Sequence, residues 1–428
     1  MKITLIKTAA KNSPAATTKT AAKISPAATT KTAAKFGTLA ARLITSLLVA
    51  LILISASTGL RAEMFNLGGE NGKRTGTGNN NTTTVTVEND NIQRSSGTNG
   101  VHENVGVNDF RSQNSLFINP LTGVSTANDI SRNRPVAISV SNVRQALPTN
   151  ATNGISQADI VYEVLVESGI TRMVAIYQDF SNVGVVGSIR SARHYKVEIA
   201  EAYDAMFIHA GGSPLGFEEI EKRGITNFDE VRGVRSQIFR RDVNRIPGHT
   251  VQNYHSAVTS GASFTQWLPT FGIRTVHNNS FRQALSFTDN PIPTGNSANK
   301  VGVKFSSSKD SIFIYEESQN LYHMAQFGSY FTDANNNNSV TFTNLIILEM
   351  PIADLVGHGE GAGRQDMSTV GRGKGYFVSN GRIISINWQR TDKSSQFIYT
   401  DGNGNQIELG RGKTYIGIVP DLTNTVVS

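Results

Sequence analysis

Two arginines three positions apart set the first chemical question. In Gly187-Ser-Ile-Arg-Ser-Ala-Arg193 the side chains of Arg190, Ser191 and Arg193 could pair with an oxyanion. A guanidinium presents a planar fork of donors that matches two oxygens of a carboxylate or phosphate. Sixteen residues beyond Arg193, His209 is followed by Ala210-Gly211-Gly212-Ser213. Glycines let backbone amides approach an anion, and Ser213 begins a helix whose N-terminus carries partial positive charge. One reading is a binding site for an anionic ligand. The alternative is a cell-wall-acting hydrolase or transferase, with His209 as general base and Arg190 and Arg193 steadying developing negative charge. Further on, Arg240 and His249 of Phe239-Arg-Arg-Asp-Val-Asn-Arg-Ile-Pro-Gly-His249 could join the same crevice or cover a surface.

Glu163 and Glu167 form a second polar group. If Ser168-Gly169 is a two-residue hairpin turn, Leu165 faces Arg172. Glu163, Glu167 and Arg172 then share one face. A glycosidase pair is disfavoured, because positions i and i+4 of a strand lie about 13 Å apart. Glu163 is retained as a candidate ligand-binding residue.

Other chemistry is excluded or poorly supported. The 428 residues contain no cysteine, so thiolate metal sites, iron–sulfur clusters, cysteine nucleophiles and a lipid-bearing cysteine are absent. There is no H-E-x-x-H and no G-x-S-x-G, and His358 and Glu360 lie in a glycine-rich stretch. No metal and no cofactor are expected. The net charge of +7 suggests nucleic acid, but residues 1–62 hold nine Lys/Arg and no acid, leaving 31 basic against 33 acidic residues. No nucleic-acid partner is expected.

The elements that position these residues are readable. Val136–Val140, Asp159–Glu167, Ile170–Tyr177 and Ala205–His209 have the composition of strands. Tyr195, Ile199, Ala202 and Tyr203 fall on one helical face. Ser213 as N-cap, Pro214 in the first turn and Gly224 past the end mark a second helix. Parallel strands in this alternating order would gather the arginines, His209 and the glycine loop at one edge. Beyond residue 286, short strands with tight turns read as an antiparallel meander. The expected class is α+β: a layered β-β-α type N-terminal α/β domain, 129–285, then a β-rich C-terminal domain, 286–428.

Ahead of this lies a different texture. Lys7–Thr18 recurs almost unchanged as Lys19–Thr30, giving a low-complexity tail, 1–36, expected in the cytoplasm. Residues 37–62 hold an uncharged stretch, Leu43–Leu60, that reads as a transmembrane or signal segment. The preceding lysines keep the N-terminus inside, so the C-terminal part is extracytoplasmic, either anchored or exported after cleavage. Residues 63–128, rich in Asn, Gly and Thr, read as a disordered spacer.

From about Arg134 to Leu422 the chain resembles the YerB-like bacterial envelope proteins, often lipoproteins. The resemblance rests on Arg134-Pro-Val-Ala-Ile-Ser-Val140, Ala158–Arg172, Gly187–Arg193 and His209–Ser213, then Gly373–Arg382, Trp388 and Gly412–Ile416. It implies an N- and a C-terminal domain of unknown function, built of sheets and helices at the outer face of the membrane, with no established activity. It also favours polar-loop ligand binding around Arg190 and His209, with a cell-wall polymer or an envelope protein as partner. Two departures stand out: this chain lacks the lipid-modified cysteine, and the family's Pro-His-Asn appears as Pro247-Gly248-His249-Thr250.

Overall fold

The computed structural model describes residues 117–428 except 293, 358, 360 and 362. The repeat tail, the apolar segment 43–60, and the pair His358 and Glu360 lie outside the described residues. Among the described residues no helix is long and apolar enough to cross a membrane.

Strands predominate, and the largest sheet has 11. Its principal strands are β1 (Val136–Asn142), β2 (Ile160–Leu165), β3 (Thr171–Tyr177), β4 (Met206–His209), β5 (Asn227–Asp229), β6 (Asn344–Glu349), β7 (Gly371–Ser379), β8 (Arg382–Arg390) and β9 (Thr414–Val419). Their spatial order is β8-β7-β6-β9-β2-β3-β1-β4-β5. Strand β9 is parallel to both β6 and β2. The expected boundary at 285/286 therefore separates stretches of sequence but not separate sheets, and the second half is not a purely antiparallel meander. Lys300–Ser306, Lys309–Glu316 and Leu321–Gln326 belong to a second sheet of six strands.

Side chains alternate along a strand, so β2 feeds two cores. Val161 and Leu165 join one hydrophobic cluster with Phe305, Phe313 and Met324 of the six-stranded sheet. Ile160, Tyr162 and Val164 join another with Tyr195, Val197 and Ile199. The latter three lie on helix α1 (His194–Ala202), which is followed by α2 (Pro214–Lys222). Ser213 caps α2 as expected, its hydroxyl accepting from Gly216 N at 3.1 Å.

The β2–β3 turn corrects one expectation. The loop is three residues, 167–169, closed by Val166 N donating to Ile170 O at 2.9 Å. Arg172 therefore pairs with Val164, not Leu165. One extra loop residue reverses the parity, so Glu163 and Arg172 point to opposite faces.

The fold also begins earlier than expected. Residues 117–128 fall in the stretch that reads as a disordered spacer, but Leu121 is buried and the Asn119 side chain donates to Asp159 at 3.0 Å.

Candidate anion-binding site

Strand β1 outruns its parallel neighbour β4, and the segment after Gly187 fills the space beside it. Ser141 N donates to Ser188 O at 2.8 Å, and Arg190 N to Ser139 O at 2.8 Å. The same segment holds the chain leaving β4: Ala210 N donates to Arg190 O at 3.1 Å and Ala192 N to Gly211 O at 2.9 Å. The 190–193 and 209–213 stretches thus meet, as their motifs suggested. Helix α1 starts at once, with Arg193 at its N-cap and no side chain capping it.

Arg193 Nη2 lies 3.0 and 2.9 Å from the two oxygens of Glu167, at the tip of the β2–β3 turn. Arg172 Nη2 is 3.9 Å from the same carboxylate. Arg190 donates through Nη1 to the carbonyl of Tyr254. Lys196, one turn into α1, donates to Ser139 Oγ at 2.7 Å and to the Ser191 carbonyl. Three guanidinium groups surround one carboxylate.

The electrostatics follow from this imbalance. Burial, with Arg190 adding to it, lowers Arg172 to about 10, still charged near neutrality. Burial drives Lys196 well below its ordinary value, and Arg193 and Arg172 push it in the same direction. Burial opposes ionisation of Glu167, but Arg193 and Arg172 overcome it and hold the carboxyl at about 2. His255 is lowered to about 4 by burial and by Arg190, Arg172 and Arg245.

Several polar atoms here are buried without a hydrogen-bond partner among the described residues. They are Arg172 Nη1, Arg190 Nε, Arg193 Nε, Ser141 Oγ, Ser188 Oγ and His255 Nδ1. Arg172 is 6% exposed and Arg193 7%. Buried polar groups are ordinarily paired, so such a concentration calls for a partner. Ser141 and Arg172 are cross-strand neighbours, and Ser188 pairs with Ser141 through the backbone. The arrangement can hold an oxyanion. Among the described residues no group of three His, Asp or Glu could hold a metal ion.

The other expected residues lie elsewhere or act differently. Glu163 is fully buried on the opposite face, facing the six-stranded sheet. It accepts from Asn142, Thr171, Ser311 and Tyr415 at 2.6–2.8 Å, with Lys309 at 3.1 Å. It is a core ion pair, not a partner of the arginines. His209 is 0% exposed, with Nδ1 2.8 Å from Gly211 O and Nε2 3.3 Å from Asn227 Oδ1. Burial lowers its pKa, and no face is left for a general base. The Gly211 amide is not free, because it donates to Asp229 at 2.7 Å. A side chain at Gly212 would meet Phe217 and Ala192, so that glycine serves close packing. Arg240 is exposed and turns to Asp242, and His249 is exposed on the turn it closes with Ile246. Its neighbour Arg241 acts on Arg190 instead.

The sequence motifs do not point to Glu167, Arg172, Lys196, His255, Ser141 or Ser188 as members of this site. Glu167 and Arg172 flank the turn, a signal that was present in the sequence. Lys196 gave none, since a charged residue next to an apolar helix stripe ordinarily faces water.

Comparison with known proteins agrees with the motif-level resemblance. Residues 121–267 match the N-terminal domain of "Protein of unknown function (DUF3048)" and residues 301–416 its C-terminal domain. A Bacillus subtilis (strain 168) protein described as "Putative lipoprotein YerB" is 28% identical over 312 residues, 72% of this chain and 88% of that protein. The crystal structure of YerB from Bacillus subtilis superposes with a TM-score of 0.62 at 27% identity, covering 73% of this chain and 99% of that one. With both domain models matched in order and a relative shared over most of its length, the chain belongs to the YerB-like family.

Proposed function

We propose that the protein is an extracytoplasmic component of the cell envelope, anchored by or exported through residues 43–60, whose folded part binds an anionic ligand at Arg172, Arg190 and Arg193. The observation that carries this reading is the set of buried, unpartnered donors around three guanidinium groups and a single carboxylate. A buried charge without pairing is costly, and an oxyanion would both neutralise the excess and accept from those donors. An envelope location agrees with the relative described as a lipoprotein, although this chain has no cysteine to carry lipid. A cell-wall polymer or an envelope protein would present the anion. The occupied ring nitrogens of His209 favour binding over hydrolysis at that residue.

Calorimetric titration of the full chain with inorganic phosphate and with acetate tests the reading. At least one anion should bind, and Arg190→Ala should weaken it about tenfold, the effect of losing one charge-assisted hydrogen bond. Absence of binding by the parent, or an unchanged affinity in Arg190→Ala, would sink it.

A further inference from the structure

We propose that the anion bound at the arginines is carried on a sugar ring, and that Tyr254 is the platform on which the ring lies. This rests on the anion-binding reading above. Tyr254 is 56% exposed, yet its backbone is held: Arg190 grips its carbonyl and Arg241 Nη1 donates to Asn253 O at 2.8 Å. Its ring leans on His255, centroids 4.4 Å apart, and His255 in turn feels Arg190 and Arg172. An exposed aromatic is therefore fixed at the rim of the cationic group by the same arginine that would hold the anion.

The rest of the rim suits a saccharide. Beside Tyr254 the guanidinium of Arg241 meets Glu230 through two bonds of 2.7 and 2.6 Å. A sugar ring has an apolar C–H face and a periphery of hydroxyls. The face packs on an aromatic ring, and the hydroxyls bond to planar donors and acceptors such as exposed Arg241 and half-buried Glu230. An added peptide strand is a poorer fit, because Arg240–Arg241, the outer strand of its three-stranded sheet, is 2 residues long and offers little ladder to extend. An acyl chain would need a broader apolar surface than one tyrosine. A carboxylated and a phosphorylated sugar share the required chemistry.

The test is calorimetry on the full chain with glucuronate, glucose 6-phosphate, glucose, acetate and inorganic phosphate. At least one charged sugar should bind about tenfold tighter than the ring-free anion of its own type, and glucose should not bind measurably. Tyr254→Ala keeps the carbonyl that Arg190 holds. It should abolish the tenfold advantage of the sugar while leaving the affinity for the ring-free anion unchanged. If acetate or phosphate binds as tightly as its sugar conjugate, or Tyr254→Ala changes nothing, the saccharide assignment fails and anion binding stands. If no anion binds at all, the failure is that of the anion site itself.

Discussion

Arg190 and Arg193 differ in what their guanidinium groups are needed for. Arg193 is buried against Glu167, whose side chain is 27% exposed. The Arg190 guanidinium donates to the Tyr254 carbonyl, and its Nε has no partner among the described residues. Removing Arg193 takes away both close bonds to Glu167 and leaves Arg172 at 3.9 Å, so Arg193→Ala should cost about 1–3 kcal/mol in denaturant unfolding. Arg190→Ala should cost less than about 1 kcal/mol. Equal large losses would mean that both arginines are structural. Glu167 supplies a second test. Its folded pKa of about 2 lies below its ordinary 4.5, so its contribution to stability is complete above pH 4.5 and fades as the pH falls toward 2. Glu167→Gln should lose that acid-side dependence and, by removing a competing negative charge, should tighten anion binding. Weaker binding in Glu167→Gln would show that the carboxylate organises the arginines and does not compete with the ligand.

At the scale of elements, strand and helix positions followed from local composition, but their pairing did not. The motif Asp159–Arg172 was readable as a hairpin. Its facing depended on whether the loop had two residues or three, and that single residue moved Glu163 into the core and left Glu167 at the site. Strand β9 was readable as a strand, yet its parallel pairing with β2, some 250 positions earlier in the chain, leaves no local trace. Asp159 sits at that seam. Its carboxylate accepts from Gln178 N at 2.7 Å, and its backbone carbonyl accepts from Thr414 N at 3.0 Å. Burial raises its pKa from 3.8 to about 6, against the opposing pull of Gln178, Asn119 and Lys413. A raised carboxyl favours the protonated folded state, so this contribution is present below pH 3.8 and is lost as the pH climbs through 6. The loss amounts to about 2–3 kcal/mol. Asp159→Asn should therefore gain on the parent by about that amount between pH 4 and pH 7.5 in urea unfolding. A difference that does not vary with pH would place the titration elsewhere.

For the molecule as a whole, composition located the change from tail to fold but set it too late. Residues 117–128 hold Phe117, Ile118, Leu121 and Val124, but they follow an Asn-, Gly- and Thr-rich run with no strand or helix signal between, which is why the stretch reads as spacer; Phe117, Ile118 and Val124 do stay exposed. Leu121 alone supplies a buried anchor, and the neighbouring contacts are polar or backbone ones that composition does not reveal. Gly412 N donates to Thr122 O at 2.8 Å, and Arg411 Nη1 to Gly123 O at 2.8 Å. The start of the folded part is thus fastened to residues nearly 290 positions later, just before β9, which joins the two halves. Burying one leucine contributes about 1.5–3 kcal/mol, and each hydrogen bond about 1 kcal/mol. A chain trimmed to 117–428 should match the full chain in unfolding free energy, while one trimmed to 129–428 should lose about 3–5 kcal/mol. Limited proteolysis of the full chain should stop near residue 116, short of residue 128. Equal stability of the two trimmed chains, with a protease stop near 130, would return the 117–128 stretch to the spacer and make its contacts with Asp159, Arg411 and Gly412 incidental to the fold.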